Sequence, residues 1–290
     1  MITPELGSGK GHRDENFPVA SLLIHPRHRA AIITFYRFAR AADDVADHAT
    51  ASADQKLHLL DHMRRTIRGE ADASPEALAL RRVHEAKTLS QQHALDLLEA
   101  FSRDVTKLRY RDWDDLMDYC SVSAMPVGRF VLDVHGEARS TWPASDALCA
   151  ALQIINHLQD CAKDYRALNR VYIPTSAFAA AGIGPEALNE KAGSPQLRGI
   201  VSGLAGLTWD LLSRSRIFAS QIHDRRLALE VSVIQSLAED LVQRLMRRDP
   251  LSMRVHHSKM EALALGLSAA MRFFANGRAN GKSEIAEERR

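Results

Sequence analysis

Two polar stripes at helical spacing stand out in this 290-residue chain. The first runs through the segment YRFARAADDVAD, and its members are four, three and four residues apart: Tyr36, Arg40, Asp43 and Asp47. Residues at these spacings lie on one face of an α-helix. Asp43 and Asp47 then lie one turn apart with Asp44 beside them, and their repulsion costs an isolated helix about 0.2–0.5 kcal/mol. Either the stripe is a solvated acidic surface, or a divalent cation offsets the repulsion.

The second stripe favours the cation. The segment QIINHLQDCAKD carries polar residues three, four and four positions apart: Gln153, Asn156, Asp160 and Asp164. Mg²⁺ prefers hard oxygen ligands and usually shares them between carboxylates, waters and substrate phosphates. Two such helices that face each other across a cavity would suit a diphosphate held through several Mg²⁺ ions. We therefore expect Mg²⁺ as the cofactor.

The composition argues against several other classes of protein. Hydrophobic residues make up 46% and charged residues 26% of the chain, which is ordinary for a globular protein. The net charge is only +2, so we expect no nucleic-acid partner. The three cysteines form no zinc-binding pattern and suit a reduced cytosolic setting. No apolar run approaches the roughly 18 residues that cross a bilayer, and no signal peptide is visible, so we expect a cytoplasmic protein.

Helical periodicity recurs along the chain, and no segment alternates as a strand does. We predict one all-α domain of about ten helices over residues 16–275. A flexible N-terminal arm, residues 1–15, precedes it, and a charged tail, residues 276–290, follows it. The first helix is expected from Pro26 to about Ala46, with the proline in its first turn. The last helix is expected over Lys259–Phe274.

One long apolar helix is expected over Trp113–Val134, with Pro126 and Gly128 in its middle. A proline inside a helix removes a backbone hydrogen bond and kinks the helix. The kink and the small glycine either serve helix packing or leave room for a bulky ligand.

Together these segments resemble the squalene/phytoene synthase family over nearly the whole chain. YRFARAADDVAD resembles the first aspartate-rich motif of that family, and QIINHLQDCAKDYRALNRVYIP resembles the second. YCSVSAMPVG resembles its central helix, and DPLSMRVHHSK resembles its C-terminal basic segment. Within the family, the segments NFPVAS and PVGR and the residue Gln159 are most like the hydroxysqualene synthases of bacterial hopanoid pathways.

The resemblance implies an isoprenoid (terpenoid) synthase fold with a central apolar cavity and dependence on Mg²⁺. It implies an enzyme that ionises presqualene diphosphate and lets water capture the carbocation, giving hydroxysqualene and diphosphate. The prenyl diphosphate is then the substrate, and we expect loose peripheral contact with a membrane because substrate and product are very apolar. Contact with neighbouring enzymes of squalene and hopanoid biosynthesis is a further expectation.

Site residues follow from the two motifs. The catalytic carboxylates are predicted to be Asp43, Asp47, Asp160 and Asp164. The predicted Mg²⁺ ligands are Asp43, Asp44, Asp47, Asn156, Asp160 and Asp164. The predicted substrate-binding residues are Tyr36, Arg40, Gln153, Asn156, Arg170 and Tyr172, with Lys163 as an additional donor. Four phenylalanines either line an apolar sleeve for the hydrocarbon or simply pack in the core: Phe35, Phe38, Phe130 and Phe178.

Two other functions stay open on the sequence alone. One is condensation of two farnesyl diphosphates to presqualene diphosphate or squalene, which needs the same motifs. The other is a non-catalytic assembly protein of the same fold, which the intact aspartates disfavour. One position departs from the family pattern: Val122 stands where many relatives have tyrosine, and Tyr119 lies one turn earlier.

Overall fold

The computed structural model describes residues 24–287, with side chains described through residue 275. The predicted N-terminal arm lies outside the described residues. The described part is all α-helical, and its helices are α1 (Pro26–Ala46), α2 (Ala53–Arg68), α3 (Pro75–Lys87), α4 (Gln92–Thr106), α5 (Trp113–Ser123), α6 (Met125–His135), α7 (Trp142–Leu168), α8 (Thr175–Ala180), α9 (Pro195–Ser215), α10 (Phe218–Gln221), α11 (Arg225–Leu245) and α12 (Lys259–Glu287). Over residues 24–287 an isolated bridge between Arg109 and Val171 replaces any strand pairing, which confirms the all-α prediction.

Local sequence signals set the helix ends. α1 begins at Pro26, whose missing N–H costs nothing in the first turn. Ser52 and Gln55 form a reciprocal capping box at the start of α2, and Gly69 ends that helix with a left-handed φ of 79°. α7 is capped at its carboxyl end by Asn169, which takes a left-handed φ of 51°. This turn redirects the chain just after the second aspartate motif.

The prediction of a single kinked helix over Trp113–Val134 was wrong. The structure contains two helices, α5 and α6, which separate at Ala124. Pro126 cannot donate to a carbonyl one turn earlier, so it occupies the first turn of a new helix instead. Gly128 serves packing: a Cβ built on it would lie 2.5 Å from Ser145 Oγ and 2.6 Å from Cys149 Sγ of α7.

Two hydrophobic clusters meet along α6. One involves α1 to α4, and the other is built mainly from α5, α7, α9 and α11. The four phenylalanines proposed for an apolar sleeve are all at most 3% exposed: Phe35, Phe38, Phe130 and Phe178. Phe35 of α1 stacks on Phe130 of α6 at a centroid distance of 4.0 Å. In this structure these rings pack the core and lock α1 onto α6.

The last helix extends further than predicted, because α12 continues past Phe274 to Glu287. Across the described residues, no helix is both long enough and apolar enough for a membrane crossing.

Candidate active site

Both polar stripes lie on helices and near the carboxyl ends of those helices. The first occupies the second half of α1, and Asp47 is the capping residue after its last turn. The second runs from the middle of α7 towards its carboxyl end. α6 packs against both helices and so holds them in one region. All predicted members of the stripes are partly buried: Tyr36, Arg40, Asp43, Asp44, Asp47, Gln153, Asn156, Asp160 and Asp164.

Arg170 joins the two motifs. Its Nη1 donates to Asp47 Oδ1 at 3.0 Å, and its Nη2 donates to the backbone carbonyl of Asp104 at 3.0 Å. The backbone N–H of Arg170 also donates to the Asp164 carbonyl at 3.2 Å. The side chain is only 8% exposed. The guanidinium predicted to bind diphosphate therefore also fixes the first motif against the chain that leaves the second.

Asp104 of α4 is the buried centre beneath this arginine. Its two carboxylate oxygens accept hydrogen bonds from Tyr172 at 2.9 Å and from Tyr119 at 2.8 Å. Burial raises the pKa of Asp104 to about 6, although the positive charge of Arg170 opposes the rise. The Tyr172 hydroxyl, for which a phosphate contact was predicted, thus donates to Asp104 in this structure. The hydroxyl of Tyr119, the tyrosine closest in sequence to Val122, also donates to Asp104.

Sequence reasoning missed Asp104. One signal could have found it: Leu97, Ala100 and Asp104 are spaced by three and four residues, so the aspartate lies on the buried face of α4. A carboxylate is almost never fully buried unless it is paired. An acidic residue at a core position of an amphipathic helix therefore predicts a buried polar network.

A histidine links the polar stripe of α7 to the tyrosines. Gln153 Nε2 lies 3.0 Å from His157 Nε2, and the His157 ring stacks on Tyr172 at a centroid distance of 3.4 Å. Burial lowers the pKa of His157 to about 3, so this ring is neutral near pH 7. His157 was not predicted as a metal ligand, and its stacked position suits a role in holding Tyr172.

Short-range ion pairs occupy part of each stripe. Arg40 Nη1 lies 2.6 Å from Asp43 Oδ2, and its Nη2 lies 3.2 Å from Asp44 Oδ1. Lys163 Nζ lies 3.6 Å from Asp160 Oδ2. Arg40 is thus paired with aspartates of its own helix, and its guanidinium remains partly exposed beside the first motif.

The carboxylates create an excess of negative charge between the motifs. Burial and then the charge of Asp160 raise the pKa of Asp164 to about 7. The negative charge of Asp47 in the first motif also raises the pKa of Asp164, so the two motifs interact electrostatically. Burial lowers the pKa of His256, and the negative charge of Asp160 opposes this effect. The C-terminal basic segment therefore lies beside the second motif. Cations are favoured where carboxylates raise each other's pKa.

The donor set fits Mg²⁺, since it consists of hard oxygen ligands from carboxylates and one amide. In the described part of the chain, the motif aspartates do not bring three ligand atoms within 4.8 Å of one another. They do not surround a single ion position. The arrangement suits ions whose coordination is completed by waters and substrate phosphates.

Known proteins of one family resemble this chain over most of its length. The model of the family described as squalene/phytoene synthase matches residues 11–261. A hydroxysqualene synthase of Rhodopseudomonas palustris is 55% identical over 265 residues, which cover 91% of each chain. One of Zymomonas mobilis is 54% identical over 91% of this chain and 90% of the relative.

Solved structures support the same assignment. The crystal structure of a squalene synthase from Alicyclobacillus acidocaldarius matches with a TM-score of 0.70 at 30% identity, covering 79% of this chain and 87% of that one. A dehydrosqualene synthase in complex with a ligand matches with a TM-score of 0.74 at 20% identity, covering 91% and 93%, and this likeness concerns the fold. From its sequence, its motifs and its fold, the chain belongs to the squalene/phytoene synthase family.

Proposed function

We propose that this protein converts presqualene diphosphate and water into hydroxysqualene and diphosphate. The observation that carries the proposal is the identity of 52–55% to hydroxysqualene synthases over more than 90% of the chain. The intact pair of aspartate motifs, joined through Arg170 and Asp47, supports it. The carbon–oxygen bond to diphosphate breaks heterolytically, the carbocation rearranges, and water adds to it and loses a proton.

The chain's own residues bind and orient the diphosphate. Arg40 and Arg170 lie beside the first motif and carry fixed positive charge, which suits charge-assisted hydrogen bonds to phosphate oxygens. Lys163 offers a further ammonium at the second motif. Tyr36, Gln153 and Asn156 extend the polar surface. In this proposal Tyr172 acts indirectly: its hydroxyl donates to Asp104, and Asp104 in turn positions Arg170.

Asp43, Asp44, Asp47, Asn156, Asp160 and Asp164 would hold Mg²⁺. Bound there, Mg²⁺ would neutralise the charge of the diphosphate leaving group. The raised pKa of Asp164 supports this assignment, because a site with surplus negative charge gains from a cation.

The test is a product assay with presqualene diphosphate, Mg²⁺ and no NADPH, read by mass spectrometry. Hydroxysqualene and diphosphate are the expected products. Asp43→Asn and Asp160→Asn should abolish turnover, whereas Asp210→Asn on the exposed face of α9 should leave it intact. If the protein consumes only farnesyl diphosphate, it performs the condensation instead. A cell that keeps full function with Asp43→Ala and Asp160→Ala combined would point to a non-catalytic role.

We also infer that α12 rests on a membrane surface. Five large apolar side chains of this helix are 50–74% exposed: Met260, Leu263, Leu267, Met271 and Phe274. At 100° per residue they fall within about 80° of one another, so they form one continuous stripe. Arg254 and Lys259 are exposed at its N-terminal end and complement anionic headgroups. Contact with other enzymes of the pathway stays a prediction.

A further inference from the structure

Three side chains from distant parts of the sequence converge at the far end of α1 from the aspartates. His28 lies in the first turn of α1, His135 is the last residue of α6, and Asp224 caps the start of α11. One candidate ligand atom from each lies within 4.8 Å of the others. The two imidazole rings are 4.2 Å apart at their centroids. Along α1, His28 is about 22 Å from Asp43, given a rise of about 1.5 Å per residue.

The hydrogen-bond pattern of His135 leaves one nitrogen open. Its Nδ1 lies 2.8 Å from the Val131 carbonyl, which can only accept, so Nδ1 carries the proton. Nε2 then presents a lone pair. That atom is buried and has no hydrogen-bond partner among the described residues. A histidine that ligates a metal commonly donates its other N–H to a backbone carbonyl in this way.

His28 offers the second open nitrogen. The residue is 7% exposed, and its Nδ1 is also buried without a hydrogen-bond partner in the described part of the chain. Leaving a buried polar atom unpaired is costly, and each of the two histidines in the cluster has one such atom. Burial, and then the charges of His135 and Arg27, lower the pKa of His28 to about 4, so the ring is neutral near pH 7.

Hydrogen bonds around Asp224 fix the position of the one carboxylate in the cluster. Glu137 accepts the backbone N–H groups of His223 and Asp224 at 2.9 and 2.8 Å. Asp224 Oδ1 in turn accepts the N–H of Arg226 at 2.9 Å. The loop that presents Asp224 to the two histidines is therefore fixed by hydrogen bonds to Glu137 and to the start of α11.

We propose that His28, His135 and Asp224 form a binding site for a divalent transition-metal ion of the Zn²⁺ class. Two imidazoles and one carboxylate suit Zn²⁺, and imidazole disfavours Mg²⁺. Three protein ligands leave one position for water. The ion would tie the start of the helix that carries the first aspartate motif to the ends of α6 and α11. This site is separate from the proposed diphosphate site and does not depend on it.

One neighbour competes with the ion. Arg27 Nε donates to His28 Nε2 at 2.7 Å. A metal on Nδ1 moves the ring proton to Nε2, so the exposed Arg27 side chain must swing away. Arg27→Gln should therefore tighten metal binding.

The test measures thermal unfolding of the purified chain with increasing Zn²⁺ in millimolar Mg²⁺, which keeps Zn²⁺ from the aspartate motifs. Zn²⁺ should raise the melting temperature of the wild type, because a ligand that binds only the folded state stabilises it. The double variant His28→Gln, His135→Gln should lose this rise. The matched double variant His58→Gln, His62→Gln should keep it, since it removes a histidine pair of α2 instead.

Single substitutions guard against a misfolded double variant. Asp224→Asn keeps a residue that caps helices well and should weaken the Zn²⁺ affinity at least about tenfold. Co²⁺ added in place of Zn²⁺ should give a visible absorption band that Asp224→Asn diminishes. No rise in the wild type, or an equal rise in the double variant without His28 and His135, would overturn the proposal. If Asp224→Asn binds Zn²⁺ with unchanged affinity, the Asp224 carboxylate is not a ligand of the ion. If Arg27→Gln binds Zn²⁺ with unchanged affinity, His28 does not ligate the ion through Nδ1.

Discussion

Arg170 and Asp47 are separated by 123 positions in sequence, yet Arg170 Nη1 donates to Asp47 Oδ1 at 3.0 Å. The Arg170 guanidinium stays charged at any pH the enzyme meets, so deprotonation of Arg170 does not break this ion pair. Next to the guanidinium, the Asp104 carboxylate and two tyrosine hydroxyls form a buried hydrogen-bond network. The two motifs are thus linked by a polar network in addition to the packing of α6 against both helices.

Replacing Arg170 should impair catalysis more than it impairs folding. Arg170→Lys keeps the charge but cannot reach Asp47 and the Asp104 carbonyl together. We expect kcat/KM for presqualene diphosphate to fall about 10- to 100-fold, the worth of about 1.5–3 kcal/mol for a charged hydrogen bond. Arg166→Lys is the control, because among the described residues that arginine donates to the backbone carbonyls of Leu188, Asn189 and Glu190, away from the two motifs. Equal kinetics for Arg170→Lys and wild type would contradict the linking role.

Asp104 should prove essential for stability. Asp104→Asn presents an NH₂ group to one of the two tyrosine donors and removes the charge that faces Arg170. The free energy of unfolding should fall by about 1–3 kcal/mol, measured by urea denaturation. Asp118→Asn, whose side chain is 63% exposed and paired with Arg103, should change it by less than about 1 kcal/mol. Comparable losses in both variants would mean that the buried network of Asp104 stabilises the fold no more than an exposed ion pair does.

The sequence predicted the features that follow from side-chain period. Spacing alone placed the two aspartate stripes on helices, because residues three and four apart share a face. It could not reveal that Asp104 meets Tyr119 and Tyr172, since those partners come from different elements brought together by tertiary packing. It also predicted a kink at Pro126, where the structure has a break between two helices. The close approach of Gly128 to α7, which decides between packing and ligand space, exists only once two helices are docked.

A buried histidine should make the fold sensitive to acid. Burial lowers the pKa of His84 to about 4, and the nearby His93 adds to the effect. An unfolded imidazole has a pKa of about 6.5. Between these two values the unfolded state binds more protons, so stability decreases as the pH falls, by up to about 1.4 kcal/mol per pH unit.

His84→Met should reduce that slope. Both ring nitrogens of His84 lack a hydrogen-bond partner among the described residues, so an apolar replacement leaves no new unpaired group. Urea unfolding at about pH 5 and about pH 7 measures the difference. The slope should decrease without vanishing, because burial also lowers the pKa of His157. His58→Gln, at an exposed position, is the control, and an unaltered slope in His84→Met would show that His84 does not titrate with unfolding.

The apolar stripe of α12 should govern membrane binding. Leu263→Gln combined with Leu267→Gln removes two side chains that are 56% and 57% exposed and should release the protein from vesicles of phosphatidylglycerol and phosphatidylcholine in a sedimentation assay. Leu207→Gln on α9, 42% exposed, should leave the bound fraction unchanged. Turnover of substrate dissolved in detergent should be the same for all three proteins. Sedimentation of the double variant with vesicles as complete as wild type would place the membrane contact elsewhere.

Gly128 should tolerate no side chain. A Cβ at this position would lie 2.5 Å from Ser145 Oγ and 2.6 Å from Cys149 Sγ, so Gly128→Ala must displace these two side chains or push α6 away from α7. We expect a loss of about 1–3 kcal/mol in the free energy of unfolding, as for other overpacked cores. Gly203→Ala is the matched control within α9, where a Cβ meets no atom within 4 Å and helix propensity predicts a gain of up to about 1 kcal/mol. Because the two substitutions are chemically identical, opposite signs would isolate the contact between α6 and α7 as the cause, and equal signs would rule it out.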